Sequence, residues 1–476
     1  MKTFDMGRIK NVHLMGIGGC GVGAIAKILI EMGYKVSGSD LKENANTIRL
    51  RDMGAHIFFG HLESNVREAD LVVYSSAISK DNPELKEAQA KQIQTVPRAE
   101  MLSWIMSQSK VPIAIAGTHG KTTTTSMVSL VFDRTAQKPT FLIGGENNDV
   151  GGNAALGGGQ YSIAEADESD GSFLLLRPRV EVVTNIEADH LDHYSGIEAV
   201  FKAFLDFTAL LPPDGTLIIC TDSEYNRKLL AEAETEAKII TYGLDRDAQL
   251  TARNIVPGEG SSKFEVYDKG KLLGEIKLNV PGRHNVENSL AAVACGLEAG
   301  IDFLGISSAL RCFTGVKRRF QLIGKAMGVL IYDDYGHHPT EISVTLRSAR
   351  SSWASVRRLI CVFQPHRYTR TMHLKKEFGS CFTDADKVII TDIYAASEAP
   401  IAGISGQTLA DEIASNGHKD VTYIQKKQEI TDHLAGLVEE GDLVLTAGAG
   451  DIHLIGKELY ARLRETQRKL NSPNGK

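Results

Sequence analysis

The sequence predicts an α/β protein of three domains with mostly parallel sheets, the first and third of them Rossmann-like. Short apolar runs alternate along the chain with helical stretches, and each run ends in glycines or polar residues, as strands of open parallel sheets do. A length of 476 residues is too great for one hydrophobic core. We therefore predict domains over residues 1–108, 109–320 and 321–476.

Composition excludes several classes of protein. With 42% hydrophobic and 24% charged residues the chain resembles an ordinary globular protein, and its net charge of −6 argues against nucleic-acid binding. No stretch approaches the roughly 18 apolar residues of a membrane helix, so we expect no membrane insertion. The six cysteines are scattered without a C-x-x-C pair, which indicates neither a zinc site nor a disulfide framework and fits the cytoplasm.

The first domain opens with a glycine-rich turn. The apolar strand Val12 to Met15 leads into the pattern G-x-G-x-x-G at residues 16–21, then into an apolar helix from Val22 to Met32. A second strand, Lys35 to Ser39, ends in Asp40, where an acidic residue would hold a ribose. The glycines require only a phosphate above a helix N-terminus, so NAD and a UDP-sugar fit equally well.

A further strand of this domain, Leu71 to Tyr74, ends in Ser75 and Ser76. Their hydroxyl groups could meet a phosphate or a sugar. The alternative is that they only cap a helix.

The second domain carries a triphosphate-binding loop. The strand Val111 to Ala116 runs into residues 117–123, Gly-Thr-His-Gly-Lys-Thr-Thr, ahead of a helical stretch from Ser126 to Phe132. Backbone N–H groups of such a turn face the phosphates, Lys121 neutralises them and the hydroxyl of Thr122 reaches Mg²⁺, so the loop predicts ATP binding. The commonest pattern needs glycine at position 115, where this chain has Ile115. The alternative is ordinary turn glycines and a solvated lysine.

Carboxylates follow the next strands of the second domain. Glu165 ends the strand Tyr161 to Ala164 and is the expected second Mg²⁺ anchor. His190 follows a strand predicted from Val180 to Ile186, and either ligates a metal or orients a phosphate, or is a loop histidine satisfied by nearby carboxylates. The glycine-rich residues 144–159 form either a hairpin or a mobile loop.

Amides and cations mark the end of the second domain. Asn285 and Asn288 precede a helix predicted from Ser289 to Glu298 and could share an adenine edge, although Asn285 could instead be the helix N-cap. Residues 317–319, Lys-Arg-Arg, form either a solvated face or a hinge with an arginine that reaches a γ-phosphate only upon closure.

Strands and helices alternate again in the third domain. Strands are predicted at Val329 to Tyr332, Leu359 to Phe363, Lys387 to Ile393 and Asp442 to Leu445, each followed by polar residues that would share one edge of a sheet. The adjacent His337 and His338 suggest zinc, but we discount it because no third ligand has suitable spacing. Each of the three predicted domains thus has a ligand-binding edge, and only the middle one has a triphosphate loop. This arrangement favours a ligase that activates a carboxylate with ATP.

The chain also resembles the Mur ligases of peptidoglycan synthesis over nearly its whole length. The similarity is carried by several strings taken together, namely HLMGIGGCGVGAIA (13–26), SGSD (37–40), GTHGKTTTT (117–125), EADESD (165–170), VVTNIEADHLD (182–192), RHNVEN (283–288), RRF (318–320), DDYGHHPTE (333–341) and GAGD (448–451). The short loop form with Gly117 and Gly120 is expected in that family, which removes the objection at Ile115. Cys20 stands where the family often has serine.

This resemblance implies a function and roles for particular residues. It implies that ATP drives the joining of L-alanine to UDP-N-acetylmuramate through an acyl phosphate, in a monomer or weak homodimer with Mg²⁺. The implied sugar-nucleotide residues are Gly16, Gly18, Gly19, Gly21, Asp40 and Ser76. The implied ATP and Mg²⁺ residues are Gly117, Thr118, His119, Gly120, Lys121, Thr122, Thr123, Glu165, His190, Asn285, Asn288 and Arg319. In the third domain, Asp334 would act on the nucleotide, and Tyr335, His337 and Arg367 would bind the amino acid.

Two other hypotheses remain at this stage. One is the family's recycling ligase, which joins a preformed tripeptide to the same sugar nucleotide and shares GTHGKT and YGHHPTE with this chain. Its first glycine pattern and C-terminal strings differ from those seen here. The other is an NAD-binding oxidoreductase module fused to an ATPase, which would need a hydride-transfer acid or base that we do not find in the sequence.

Overall fold

The apolar runs of the sequence form the inner strands of three sheets, because strands covered by helices on both faces bury nearly every side chain. The computed structural model describes residues 5–190, 193–244 and 247–471. Four short 3₁₀ turns, Met6–Arg8, Glu63–Val66, Asn148–Val150 and Ser172–Leu175, accompany the helices and strands given below.

The first sheet contains five parallel strands in the order β3-β2-β1-β4-β5. Its strands are β1 (Asn11–Met15), β2 (Lys35–Asp40), β3 (His56–Phe59), β4 (Leu71–Tyr74) and β5 (Gln94–Pro97). The helices are α1 (Cys20–Glu31), α2 (Ala45–Asp52), α3 (Pro83–Ala90) and α4 (Arg98–Ser107). The strand order reverses between β1 and β4, and that crevice is where open α/β sheets bind their ligands.

The second sheet is built around β6 (Val111–Ala116), and its strands alternate with helices along the chain. Its other strands are β7 (Thr140–Asn147), β8 (Gly152–Ala155), β9 (Tyr161–Glu165), β10 (Val180–Val183), β11 (Thr216–Cys220), β12 (Lys238–Gly243), β13 (Leu250–Gly258), β14 (Ser261–Asp268) and β15 (Lys271–Leu278). The helices are α5 (Lys121–Arg134), α6 (Ile197–Thr208), α7 (Glu224–Glu232), α8 (Arg283–Glu298) and α9 (Phe303–Arg311).

Strand β6 lies between β10 and β9 in this sheet, and both neighbours run parallel to it. The segments that follow these three strands therefore meet at one edge of the sheet. Beyond β9 comes β7, which is parallel to β9 and forms an antiparallel hairpin with β8. The hairpin interpretation of residues 144–159 is confirmed.

The third sheet has the strand order β16-β17-β21-β18-β19-β20, parallel except for its first pair. Its strands are β16 (Gln321–Ala326), β17 (Val329–Asp334), β18 (Leu359–Phe363), β19 (Lys387–Ile390), β20 (Val421–Tyr423) and β21 (Leu443–Ala447). The helices are α10 (Pro339–Ser352), α11 (Tyr368–His373), α12 (Lys375–Ser380), α13 (Gly406–Ser415), α14 (Lys427–Leu437) and α15 (His453–Asn471). The α/β class with mostly parallel sheets is confirmed.

The chain divides into two compact units. The first unit comprises Met1–Ala252, Val266–Gly274 and Glu287–Leu310, and the second comprises Arg253–Glu265, Glu275–Val286 and Arg311–Lys476. In the first unit, one hydrophobic core includes side chains from both sheets, among them Leu14, Ile25, Ala116 and Phe204. The first two sheets therefore share a core within this unit. The domain boundaries at residues 108 and 320 stay predictions.

Several predicted element ends differ from the structure. Helix α8 begins at Arg283 rather than at Ser289, so Asn285 lies inside the helix and the N-cap interpretation of it is wrong. Strand β10 ends at Val183 rather than at Ile186, and β19 ends at Ile390 rather than at Ile393. In both cases two polar residues follow the last residue of the strand, and the apolar residue beyond them, Ile186 or Ile393, lies outside the ladder. None of the helices in the described ranges has the length and apolarity needed to cross a bilayer.

Candidate active site

The glycine turn after β1 is held by the strand beside it. The N–H groups of Gly16 and Ile17 both donate to the carbonyl of Ser39, at 2.8 and 3.1 Å. The N–H of Gly18 donates to the Asp40 carboxylate at 2.8 Å. The turn thus delivers the chain into the N-terminus of α1, where free N–H groups and the helix dipole favour an anion. Asp40 braces this turn directly.

Ser76 is exposed directly after β4, the strand that neighbours β1 across the switch point. The hydroxyl of Ser75 accepts a hydrogen bond from the N–H of Ala77 at 3.3 Å, within the turn. The next helix, α3, is capped by Asn82. The helix-cap explanation for the two serines is therefore wrong, and Ser76 follows the strand that pairs with the one leading into the glycine turn.

The triphosphate-type loop between β6 and α5 is shaped by the segment that follows β10. The N–H groups of Thr118 and His119 donate to Asn185, to its backbone carbonyl at 2.9 Å and its side-chain oxygen at 2.8 Å. Gly117 has φ +133°, and a Cβ there would lie 2.0 Å from the Thr184 hydroxyl. No residue with a side chain fits at Gly117 without displacing this support.

Lys121 is the first residue of α5, and its ammonium group is directed back over the loop. It donates to the carbonyl of Gly117 at 2.6 Å and lies 2.9 and 2.8 Å from the two carboxylate oxygens of Glu168. Burial lowers the pKa of Lys121, but the carboxylates of Glu168 and Asp167 raise it by more. The alternative of a solvated lysine is therefore wrong.

Glu168 is 1% exposed and was not among the predicted site residues. Burial raises its pKa to about 7, and the negative charge of Asp167 adds to this while Lys121 opposes it. The hydroxyl of Tyr194 donates to the backbone carbonyl of Glu168 at 2.6 Å and fixes the segment. A titrating carboxyl group thus lies directly beside the lysine predicted to bind phosphate.

Thr122 and Glu165 meet beside the same loop. The Thr122 hydroxyl donates to the Glu165 carboxylate at 3.2 Å, and the other carboxylate oxygen accepts the N–H of Gly144 at 2.6 Å. His190 approaches from the segment after β10, with Nε2 3.7 Å from carboxylate oxygens of both Glu168 and Asp189. The three predicted metal ligands therefore lie in segments that converge, and the carboxylates expected around His190 are present.

Helix α8 contributes Asn288 to this edge of the first unit. The Thr124 hydroxyl donates to the side-chain oxygen of Asn288 at 3.1 Å, and that oxygen lies 2.7 Å from where a Cβ of Gly120 would be. Asn285, one turn earlier in α8, donates its amide N–H to the carbonyl of Pro281 at 2.6 Å. Thr123 lies in the first turn of α5, next to Thr124 in sequence.

The second unit contains its own polar cluster, which begins in the basic segment before β16. Arg318 donates to the carbonyl of Gly448 at 2.6 Å and pairs with Asp333 at 3.2 Å, so a solvated face does not describe it. Arg319 pairs with Glu341 at 3.2 Å, and its guanidinium carbon lies 5.3 Å from the centre of the Tyr335 ring.

Asp334 lies at the end of β17 and is 6% exposed. Its carboxylate accepts the N–H of Phe320 at 2.7 Å and that of Gly336 at 2.6 Å. Burial raises the pKa of Asp334 to about 6, although the charge of Arg319 opposes the shift. Asp334 therefore ties the basic segment to the turn that carries Tyr335 and His337.

His337 and Arg367 come from turns after two different strands, β17 and β18. The ring of His337 lies 5.7 Å from that of His366, the residue before Arg367. Arg367 has φ +67° and donates its N–H to the carbonyl of Tyr394 at 2.9 Å. The adjacent His338 serves a different purpose, because it caps α10 in a capping box. The structure thus brings the predicted amino-acid residues of this unit to one edge.

Comparison with known proteins identifies the family. Three family models match in succession: one described as Mur ligase family, catalytic domain, at residues 11–110, the Mur ligase middle domain at 115–296, and the Mur ligase, glutamate ligase domain at 318–450. The chain belongs to the Mur ligase family. Members of this family are ATP-dependent ligases, so the loop before α5 belongs to an ATP-dependent enzyme.

Relatives similar along their entire length share one name. UDP-N-acetylmuramate–L-alanine ligase of Geobacter sulfurreducens is 47% identical over 97% of this chain and 99% of its own. The enzyme of that name from Pelotomaculum thermopropionicum is 48% identical over 97% of this chain and 100% of its own.

Solved structures agree with the three-domain α/β fold of a Mur ligase. The crystal structure of UDP-N-acetylmuramate-alanine ligase from Thermotoga maritima superposes with a TM-score of 0.82 at 29% identity, covering 96% of this chain and 100% of that one. A murein peptide ligase from Psychrobacter arcticus reaches 0.71 at 26% identity, over 95% and 98%.

Two site residues of this Mur ligase escaped the analysis of the sequence. Glu168 is one of four acidic residues within residues 165–170, and no local pattern distinguishes the one that is buried against Lys121. Asn185 lies inside the string 182–192 that supported the resemblance, but its role in holding the loop depends on β10 being next to β6. Both contacts join segments far apart in sequence.

Proposed function

We propose that this Mur ligase joins L-alanine to the carboxyl group of UDP-N-acetylmuramate, with ATP converted to ADP and phosphate. The observation that carries the proposal is the shared name of relatives 47% and 48% identical across 97% of the chain. The two glycine turns of the first unit support it, because a sugar nucleotide and ATP each require a phosphate-binding turn.

The proposed chemistry solves a specific problem. An amine does not attack a carboxylate at neutral pH, because the anion repels the nucleophile and an oxide ion does not leave. Transfer of the γ-phosphoryl group to a carboxylate oxygen breaks the bond to ADP and creates an acyl phosphate. The amine of alanine then adds to the carbonyl carbon, phosphate leaves with the electron pair of the C–O bond, and the nitrogen loses a proton to give the amide.

We assign the two phosphate-bearing ligands to the two turns. The sugar nucleotide would lie at the turn of Gly16, Gly18, Gly19 and Gly21, with Asp40 and Ser76 beside it. ATP would lie at Gly117, Thr118, His119, Gly120 and Thr123, with Asn285 and Asn288 on the adenine. Lys121 would leave Glu168 and pair with the terminal phosphates, where it offsets charge that develops during transfer.

Magnesium fits the donor set around Thr122. A hydroxyl oxygen and a carboxylate oxygen lie 3.2 Å apart at Thr122 and Glu165, and hard cations prefer oxygen ligands supplemented by substrate phosphates. His190 is the third proposed ligand. When bound, the ion would offset the negative charge of the phosphates.

We assign the amino acid to the cluster of the second unit. Tyr335, His337 and Arg367 would bind this small zwitterion, and Arg367 would offer a cation to its carboxylate. Arg319 and Asp334 would act on the transferring phosphate. At pH values above about 6, the pKa of Asp334, its carboxylate is ionised and remains a partner for the N–H of Gly336.

Neither of the other hypotheses is favoured. The murein peptide ligase structure is less similar than the alanine ligase structure, with a TM-score of 0.71 against 0.82. An NAD-binding module is not needed, because membership of the Mur ligase family accounts for the first glycine turn. Calorimetric titration with UDP and with NAD would distinguish a sugar-nucleotide site from an NAD site at this turn. We expect binding of UDP alone.

The deciding experiment measures phosphate release from ATP with UDP-N-acetylmuramate while amino acids are added one at a time. We expect release with L-alanine, and a product whose mass equals UDP-N-acetylmuramate plus alanine minus water. ADP without a new amide would refute the proposal. We expect the reaction in the cytoplasm by a monomer or weak homodimer, which sedimentation of the purified chain would test.

A further inference from the structure

The hairpin of β7 and β8 lies against the helices that follow the first glycine turn. The Lys27 ammonium donates to the carbonyl of Ala154 at 2.6 Å, and the N–H of Leu156 donates to the Glu31 carboxylate at 2.8 Å. Both contacts connect α1 with the second strand of the hairpin or the residues just beyond it. The hairpin is therefore fastened to the element whose N-terminus forms the sugar-nucleotide turn.

One residue of this hairpin, Gly144, connects the two proposed ligand sites through its backbone C=O and N–H groups. The thiol of Cys20, the first residue of α1, donates to the carbonyl of Gly144 at 3.0 Å. The N–H of Gly144 donates to Glu165 at 2.6 Å, and Glu165 accepts the Thr122 hydroxyl at 3.2 Å. A continuous chain of hydrogen bonds thus runs from the glycine turn to the ATP loop.

The chemistry of each member suits this connection. Burial raises the pKa of Cys20, so the thiol keeps the proton it donates at neutral pH. At Gly144 a Cβ would lie 2.6 Å from a carboxylate oxygen of Glu165 and 2.9 Å from its carboxyl carbon. Only glycine lets the backbone approach Glu165 this closely.

A second group of contacts fastens the same hairpin to the same turn. The amide of Asn46 donates to the carbonyl of Gly18 at 3.0 Å, and the side-chain oxygen of Asn46 accepts from Arg49 at 2.8 Å. Arg49 reaches the hairpin at Glu146, 3.6 Å away, and at the side-chain oxygen of Asn153 at 3.4 Å. The glycine turn and the helices that follow it are therefore connected to the hairpin at two points.

We propose that Cys20 is a positioning residue for Glu165, and that the β7–β8 hairpin couples sugar-nucleotide binding at the first turn to Mg²⁺–nucleotide binding at the second. This inference rests on the proposed function. The thiol touches neither reacting group; it holds the backbone carbonyl of Gly144, and the N–H of the same residue orients the carboxylate assigned to the metal. Coupling of this kind is reciprocal, so each ligand must change the affinity for the other by the same factor.

The test is a set of calorimetric titrations on the full chain. A non-hydrolysable ATP analogue with Mg²⁺ is titrated with and without saturating UDP-N-acetylmuramate, and the reverse titration checks reciprocity. In the unaltered protein we expect each ligand to tighten the other. Cys20→Ala should reduce that coupling factor by about threefold, the size expected for one lost hydrogen bond. Each ligand alone should still bind within about twofold of its original affinity.

Matched variants separate a positioning role from general damage. Cys20→Ser keeps a donor at the same atom and should restore most of the coupling. Cys312→Ala, at an exposed cysteine of the second unit, should leave all affinities unchanged. Equal coupling in Cys20→Ala and the unaltered protein overturns the inference, as does loss of sugar-nucleotide affinity by itself. Failure of the unaltered protein to bind UDP-N-acetylmuramate would instead overturn the proposed function.

Discussion

The two glycine turns of the first unit have the same backbone plan and different side chains. In each, a parallel strand passes through glycines into a helix N-terminus, at residues 16–20 after β1 and 117–121 after β6. The second turn is followed at once by Lys121 and surrounded by Glu165 and Glu168. At the first, the group that meets the backbone is Asp40, an anion from the neighbouring strand.

This difference indicates what each turn can do. A helix N-terminus alone attracts any phosphate, but handling a transferable terminal phosphate also requires a cation and metal-binding oxygens. An aspartate beside the turn suits hydroxyl groups of a ribose or sugar better than a highly charged triphosphate. Backbone shape therefore identifies both as phosphate sites, and side chains assign the ligands.

The largest expected effect comes from Lys121→Ala. Removal of the Lys121 ammonium group, which donates to the carbonyl of Gly117 in the second turn, should lower the rate of phosphate release by about 1000-fold or more, since its charge acts on the transition state. Affinity for UDP-N-acetylmuramate, measured by calorimetry, should change by less than about twofold because the first turn is untouched. Loss of both phosphate release and UDP-N-acetylmuramate affinity would contradict the assignment of different ligands to the two turns.

A matched pair of glycine substitutions tests how tightly each turn is built. Gly117→Ala should weaken binding of the ATP analogue by about 100-fold, because its Cβ would lie 2.0 Å from the Thr184 hydroxyl. A Cβ at Gly16 would lie 4.0 Å from Ile78 and clash with nothing in the described residues. Gly16→Ala should therefore lower sugar-nucleotide affinity by only about tenfold, through the backbone strain of φ +75°. Equal effects at the two positions would contradict this ranking.

Nucleotide binding should depend on pH through Glu168. Its pKa of about 7 means that the carboxyl group is mostly neutral at pH 6, which leaves Lys121 available to phosphate, and mostly ionised at pH 8, which holds Lys121 and repels phosphate. Affinity for the ATP analogue should therefore fall as pH rises from about 6 to about 8, by roughly fivefold.

Glu168→Gln is the control for that titration, since it removes the ionisable group but keeps the shape. The titration of the ligand itself is common to both proteins, so the difference between their pH profiles isolates Glu168. We expect the variant to have the shallower profile. Parallel profiles would show that Glu168 does not compete for Lys121.

The smallest expected effect is at the first turn. Ser76→Ala removes one exposed hydroxyl and should weaken the binding of UDP-N-acetylmuramate by about threefold, the usual effect of losing a single neutral hydrogen bond. Ser75→Ala is the matched control, because that hydroxyl already accepts the N–H of Ala77. A larger loss of affinity in Ser75→Ala than in Ser76→Ala would show that Ser75, and not Ser76, supplies the ligand-binding hydroxyl.

Some element ends follow from the sequence alone and others do not. Strands β4, β6 and β18 have the ends that the apolar runs predict, and the α/β class followed from them. Asn285 was open to a cap interpretation because the start of α8 has no strong capping signal, and the structure places it inside the helix. The ligand roles of the site residues stay predictions for the variants to test.

The sequence by itself determined the alternation of strands and helices, the positions of the glycine turns and the family. These depend on hydrophobic periodicity and on local backbone freedom, which are properties of neighbouring residues. Only the tertiary structure decided that Glu168 faces Lys121, that Asn185 holds the ATP loop and that Gly144 lies between Cys20 and Glu165. Such contacts depend on which strands become neighbours in a sheet, and strand order is set by packing of the whole domain rather than by any short segment.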